Sequence, residues 1–367
     1  MRQTGIAIVG AGVIGRTHAD AIRATPGVRL AGIVEPGPGA QAFAQAQDCP
    51  LFASMDGLIA ARPDGVILAT PNETHAPLAV QLLKAGIPVL VEKPLAATSS
   101  EAASILEASA ATGTPVLTGH HRRYNPRILK ARALAHDLRF GHLVMGTVLC
   151  ALKKPASYFD AAWRKRPGSG GPMLINMIHE IDLLRFLFGE VATVSATHSN
   201  AERGFEVEDT AGAILSFEKG GIVTLSVSDA AAAPWAWDIA ANENPGRFPA
   251  HPVPTHFFCG SDGAFSLPDL TFWSHPGEKA WTESMEARDE SVDDSDAYEA
   301  QIAHFADVIA GKAAPRCSAL DGARNIAVIE AIRASAESGS TVKLDPGRPP
   351  VAPDMNVPKE AIHEQRA

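Results

Sequence analysis

Cysteine is scarce: there are four in 367 residues, at positions 49, 150, 259 and 317. Spacing this wide offers neither a disulfide framework nor a C-x-x-C pair, so reduced thiols, a cytoplasmic location and no metal are expected. Long apolar runs are absent too. Nothing approaches the roughly 20 residues that span a bilayer, and the N-terminus lacks the basic region and cleavage site of a signal peptide, so no membrane partner is expected. Positive charge is in deficit: 32 Lys and Arg against 41 Asp and Glu leave a net charge of −9, which argues against a nucleic-acid partner. The thirteen histidines include no H-x-x-x-H beside an acid, and the adjacent His120 and His121 would face opposite ways on a strand. What remains is a globular composition, 46% hydrophobic and 20% charged, long enough for two domains.

The strongest positive signal opens the chain. In Ile6-Ala-Ile-Val-Gly-Ala-Gly-Val-Ile-Gly15, four apolar residues run into Gly10, Gly12 and Gly15. A buried parallel strand reads as such a run, and glycines at this spacing let a tight turn set helix N–H groups against a pyrophosphate, with Val13 and Ile14 starting the helix. A second strand, 28–34, ends at Glu35, twenty residues past Gly15. A carboxylate there accepts ribose hydroxyls and repels a 2′-phosphate, and no Arg or Lys follows closely, so NAD is favoured over NADP. Strands at 65–69, 88–92 and 116–119 alternate with helices near 13–24, 74–85 and 99–111. That alternation predicts an α/β Rossmann domain, residues 1–121, with a doubly wound parallel sheet. Ligands bind at strand carboxyl ends in such sheets, which draws attention to Thr70-Pro71-Asn72-Glu-Thr-His75 and Glu92-Lys93-Pro94.

After Gly119 the texture changes. Asn125-Pro126 predicts a capped helix, and a strand near 143–152 precedes a helix from Met173 to Phe188 closed by Gly189. Strands at 191–198, 210–217 and 221–228 form a meander with a hairpin at Lys219-Gly220-Gly221. A long loop, 230–254, leads to strands near 255–259, 264–267 and 271–273 and to helices at 296–310 and 319–338. The expected second domain is therefore α+β, residues 122–345, with an open antiparallel sheet, followed by a surface tail at 346–367.

Two stretches concentrate polar groups. Lys93 follows a strand on the side where a nicotinamide would lie; it is either a solvated lysine or an ammonium that donates to a reacting oxygen. On a helix Asn176, His179 and Asp182 are three apart and share a face, while Leu174, Ile178, Ile181 and Leu184 make the same helix a core element. His179 is then either a satisfied structural histidine or a base. Tyr158, Trp163 and Arg164 suit a sugar ring, and Trp235 and Trp237 offer a cap from the long loop; each is equally readable as core.

These motifs together resemble the Gfo/Idh/MocA oxidoreductases, named for glucose–fructose oxidoreductase, inositol dehydrogenase and rhizopine catabolism. The resemblance covers nearly the whole chain, including Gly119-His-His-Arg-Arg-Tyr-Asn-Pro126 and Ile178-His-Glu-Ile-Asp182. It implies NAD-dependent hydride transfer between a nicotinamide and a sugar or cyclitol hydroxyl carbon, and a homodimer or homotetramer. It also implies that Pro71, Asn72, His75 and Glu92 line the nicotinamide, that Lys93 and His179 flank the reacting carbon, that Arg122, matching an arginine after the last Rossmann strand, reaches the pocket, and that the Lys93–Pro94 peptide is frequently cis. His121 beside Arg122 is a further substrate-side candidate, and the Asn176 amide can orient a hydroxyl but cannot take its proton. Arg123 is expected in a structural ion pair. Many polyol-oxidising members carry an aspartate four residues before the helix histidine; Ile175 stands there. Within the same resemblance lie an NADP-dependent dihydrodiol dehydrogenase or carbonyl reductase, and a non-catalytic nucleotide- or sugar-sensing regulator.

Overall fold

The computed structural model describes residues 2–345; the tail expected at 346–367 lies outside the described residues. Strands β1 (Thr4–Val9), β2 (Val28–Val34), β3 (Leu51–Phe52), β4 (Gly65–Leu68), β5 (Val89–Glu92) and β6 (Val116–Gly119) form one sheet in the order β3-β2-β1-β4-β5-β6, every pair parallel. β4, β5 and β6 are buried throughout, which is why they read as apolar runs without alternation. Strand order reverses beside β1, so a crevice opens at the carboxyl ends of β1 and β4. The edge strand β3 escapes a sequence reading because two residues cannot display a period.

The second sheet has nine strands: β7 (Leu143–Ala151), β8 (Val191–Ser199), β9 (Thr210–Phe217), β10 (Ile222–Ser228), β11 (His256–Gly260), β12 (Gly263–Leu267), β13 (Thr271–Ser274), β14 (Glu286–Asp289) and β15 (Val342–Lys343). The expected meander β8-β9-β10 is present and antiparallel. One junction differs from the expected antiparallel sheet: β7 and β10 run parallel. Parallel neighbours need a crossover, and the chain supplies it through the helix Ile178–Phe188, which packs one face of the sheet. The other face alternates outward, leaving Met145, Ile214, Ile222, Phe257 and Trp273 exposed.

The chain does not divide cleanly at 121/122. Helix Ala297–Ile309 returns to the first sheet, where Ile302, Phe305 and Val308 join Ile6, Ile8 and Ile33 in one cluster. Thr118 donates its N–H to the Cys317 carbonyl at 2.9 Å, just before helix Ala319–Ser338 starts at a Ser318–Asp321 capping box. No helix among the described residues is long and apolar enough to cross a membrane.

Candidate active site

At the carboxyl end of β1 the chain turns so tightly that two glycines are required. Gly10 has φ +92°, and a Cβ there would stand 2.5 Å from the Ala69 carbonyl oxygen. A Cβ on Gly15 would stand 1.9 Å from the Gly10 oxygen, so helix Val13–Ala24 sits directly against the loop. At Gly12 a Cβ would meet open space, and no side chain caps the helix start that follows. That uncovered start can receive a pyrophosphate. Glu35 closes the loop from the end of β2: Oε2 accepts from the Ala11 N–H and Oε1 from the Gly37 N–H, both at 2.7 Å. Each oxygen keeps a lone pair for a ribose hydroxyl.

The ends of β4 and β5 build the next wall. Ile14, Thr70, Asn72, His75 and Lys93 line a cleft of about 160 Å3 together with Trp163. Pro71 does not line it; it caps the short turn Asn72–Thr74. The His75 ring lies between the Pro94 and Thr70 carbonyl oxygens, at 2.8 and 2.9 Å, and so ties the two loops together. Burial lowers its pKa, against the pull of those carbonyls. Burial alone would raise the Glu92 carboxyl, but a 2.7 Å bond to His18 Nε2 and nearby cations hold it below its ordinary value. The Lys93–Pro94 peptide is cis.

Beyond Lys93 opens a second space, a cavity of about 930 Å3 walled by Lys93, Asn176 and His179, by His121, and by Lys154 and Tyr158. Cleft and cavity share Ile14, Glu92, Lys93 and Ile175. Lys93 therefore stands at the junction. Its Nζ donates to the Ile175 carbonyl at 3.2 Å, and burial lowers its pKa, with Glu92 and Asp238 opposing. His179 is lowered well below 6.5, first by burial and then by Lys93 and Arg122. Its Nδ1 is buried without a partner among the described residues, which leaves Nε2 as the nitrogen on the cavity side. Asn176 turns its Oδ1 to Lys154 Nζ, 2.8 Å away.

The histidine helix does not begin as an α-helix. Residues Met173–Met177 form a π-turn, with the Ile178 N–H bonding the Met173 oxygen, and only Ile178–Phe188 is α-helical. Asn176 and His179 still line one cavity, but the expected stripe ends there. Asp182 lies away from the cavity, buried under Arg123, which donates to it from Nε and Nη2 at 2.9 and 2.8 Å. Arg122, expected at the pocket, lies behind its wall: Nη1 donates to Glu180 Oε1 at 2.8 Å and Nη2 to Asp238 at 3.4 Å. The turn His121–Tyr124 is a 3-10 helix, so consecutive side chains fan outward and only His121 enters the cavity. The same turn removes the strand alternation expected of His120 and His121, and both rings meet His179 edge-on, at 5.8 and 5.7 Å.

The expected aromatic platform separates. Tyr158 lines the cavity, Trp163 lines the smaller cleft, and Arg164 lines neither, stacking 4.0 Å over the Tyr158 ring. Trp237 is wholly buried against His256, and Trp235 is half exposed outside both spaces. The long loop instead offers Asp238, Ile239 and Arg247 to the cavity. Lys154 is the residue that sequence reasoning missed. A signal existed: Lys154-Pro155 just beyond β7 repeats the pattern of Lys93-Pro94 just beyond β5.

Residues 4–120 match the family model described as oxidoreductase family, NAD-binding Rossmann fold, and residues 137–344 the model described as its C-terminal alpha/beta domain. Inositol 2-dehydrogenase 2 of Saccharopolyspora erythraea is 28% identical over 356 residues, spanning 93% of this chain and 95% of the relative. Inositol 2-dehydrogenase of Rhizobium meliloti is 32% identical over 193 residues, 52% of this chain and 57% of the relative. The crystal structure of the WlbA dehydrogenase from Bordetella pertussis, in complex with NADH and UDP-GlcNAcA, matches with a TM-score of 0.76 at 23% identity, over 94% of this chain and 99% of that one. Matched in both halves, the chain belongs to the Gfo/Idh/MocA oxidoreductase family and carries its NAD-binding Rossmann domain.

Proposed function

We propose that this NAD-dependent dehydrogenase oxidises a secondary hydroxyl of a sugar or cyclitol, with Lys93 and His179 at the reacting carbon. The observation that carries the reading is the position of Lys93, shared between the cofactor-side cleft and the cavity into which His179 turns Nε2. Bound NAD supplies the hydride acceptor, held by the Gly10–Gly15 loop, Glu35, Thr70 and Asn72. His179, kept neutral by burial and by the cations around it, is free to accept the hydroxyl proton at Nε2. Lys93 Nζ, a donor with no acceptor capacity, stabilises the oxygen as it gains negative charge. Asn176 orients the substrate through its amide nitrogen. No acid is needed at Ile175, because the proton has an acceptor in His179.

Lys93→Ala tests this. Turnover with a responsive polyol, followed by NADH absorbance, should fall by about 10²–10³-fold or more, as when one oxyanion donor is removed. NADH binding, followed by fluorescence, should stay near normal. Retained turnover would overturn the role given to Lys93.

The exposed apolar face of the second sheet supports self-association of this chain, since exposed contiguous apolar patches mark interaction sites. Light scattering that finds a monomer at micromolar concentration would oppose it.

A further inference from the structure

We propose that the substrate is an acid: a polyhydroxylated chain or ring bearing a carboxylate, which Lys154 and the Asn176 amide nitrogen receive, with Arg247 adding charge from the long loop. The inference rests on the dehydrogenase reading above and adds the class of substrate.

Charge balance points this way. Four cations, Lys93, Lys153, Lys154 and Arg247, line the cavity, against two carboxylates, Glu92 and Asp238. Both carboxylates are already engaged, Glu92 by His18 at 2.7 Å and Asp238 by Arg122 at 3.4 Å. Lys154 is only 7% exposed, and its ion-pair partner is shared: Asp229 takes Lys154 Nζ at 3.3 Å on Oδ2 and Arg203 Nε at 2.8 Å on Oδ1. Two cations thus divide one negative charge beside the cavity. A buried ammonium with an incomplete counter-charge is unfavourable until an anion arrives.

Hydrogen-bonding capacity agrees. The Asn176 amide is oriented by Lys154, because an ammonium has only hydrogens to offer and must face the oxygen. Its nitrogen, with two hydrogens, makes no bond among the described residues and lies on the cavity wall. Lys154 donates to Asn176 and Asp229, and its Nζ stands 4.8 Å over the Tyr158 ring, so its third hydrogen meets a π face and no protein oxygen among the described residues. The wall at this end is therefore made of donors, which suits a group rich in lone pairs. Lys154, Arg203 and Asp229 together leave one net positive charge, which matches a carboxylate better than a doubly charged phosphate. The π-turn brings these groups to the reacting end: Ile175 holds Lys93 by its carbonyl, and the next residue, Asn176, holds Lys154 by its side chain.

The test is a comparison of kcat/KM across hexuronates and aldonates, the corresponding neutral sugars and cyclitols, and sugar phosphates, in wild type, Lys154→Gln and Arg247→Gln. The acids should be preferred in wild type. Lys154→Gln should lower the acid-to-neutral ratio by about 10–100-fold, the range for a lost charge-assisted hydrogen bond. Arg247 is exposed, so Arg247→Gln is safe for folding; it should lower the ratio by a smaller factor, and it keeps the proposal testable if Lys154→Gln fails to fold. Equal use of acids and neutral polyols, or a ratio unmoved by both variants, overturns the proposal and leaves the dehydrogenase reading standing. A preference for phosphates overturns the carboxylate assignment. If nothing is oxidised, glucuronate quenching of the NADH complex decides: quenching lost in Lys154→Gln supports the anion site and refutes the dehydrogenase reading, whereas no quenching refutes both.

Discussion

Glu180→Gln should destabilise this protein by about 3 kcal/mol at pH 7, and two independent routes lead to that figure. Glu180 is completely buried; Oε1 accepts from Arg122 at 2.8 Å and Oε2 faces His256 Nε2 at 2.7 Å. Burial alone would raise its carboxyl, yet Arg122 and His256 pull it from the ordinary 4.5 down to about 2. At roughly 1.4 kcal/mol per pH unit that preference for the charged form is worth about 3 kcal/mol. Removing one member of a buried ion pair costs about 3–5 kcal/mol, because the other charge is stranded. Glutamine keeps the volume and one acceptor, so the lower end applies. The stabilisation is fully present above pH 4.5 and is lost as pH falls toward 2. Urea unfolding and calorimetry are the assays, and the thermal midpoint should drop by about 6–12 °C at about 2–4 °C per kcal/mol. If the stranded guanidinium is the cause, adding Arg122→Met should recover part of the loss. A midpoint that moves by less than about 1 °C, or a double variant worse than the sum of its parts, would refute the reasoning.

Gly15→Ala places a Cβ 1.9 Å from the Gly10 carbonyl oxygen, so helix and loop must separate. NADH affinity by fluorescence titration should fall at least roughly tenfold, the consequence of moving N–H donors off a pyrophosphate; an unchanged Kd would show that the loop absorbs the strain. His120 bears on acid stability. Burial lowers its pKa from 6.5 to about 4, against the pull of Asp182. Between those values the unfolded chain binds a proton that the folded chain refuses, so stability should decline as pH falls from 6.5 to 4 and level off above 6.5. Urea midpoints at pH 7.5, 6 and 5 measure the slope, which His120→Gln should flatten.

The first domain was legible because its code is local. Unbroken apolar strands, Gly10, Gly12 and Gly15, and the carboxylate ending β2 each sit within a few residues of what they determine. The second sheet was half legible: β8, β9 and β10 alternate and turn at Gly220-Gly221, but the parallel entry of β7 beside β10 depends on pairing across 70-odd residues, which no window contains. β14 was invisible for a different reason, since Glu286–Asp289 is exposed along its whole length and lacks an apolar face. At the site, Lys93 and His179 could be singled out because each follows or sits on a strong element signal. The fate of Arg122 could not. Its partner Glu180 is a neighbour of His179 on the same helix, and only the direction of the helix decides which of the two faces the cavity. The π-turn was likewise hidden, because an apolar run fits a π-turn as well as an α-turn, and with it went the link between Asn176 and Lys154.

The convergence of Lys93 and His179 follows from two constraints outside the cavity itself. The first is strand register: β5 and β6 pair Glu92 with Gly119, and they meet so closely that a Cβ on Gly119 would stand 2.9 Å from the Glu92 Cα. The chain leaving β6 therefore starts at a set position beside Lys93. The second is a pair of buried ion pairs. Arg122 and Arg123, on the first turn after β6, grip Glu180 and Asp182, which follow His179 by one and three residues on its helix. Rotating that helix to move His179 would strand both carboxylates, so its imidazole is held in place by groups that do not line the cavity. Arg122 thus acts through position, and the Glu180→Gln variant should lose turnover per folded molecule as well as stability. If activity normalised to folded protein were unchanged, the two ion pairs would be contributing to the fold alone and the placement of His179 would need another cause.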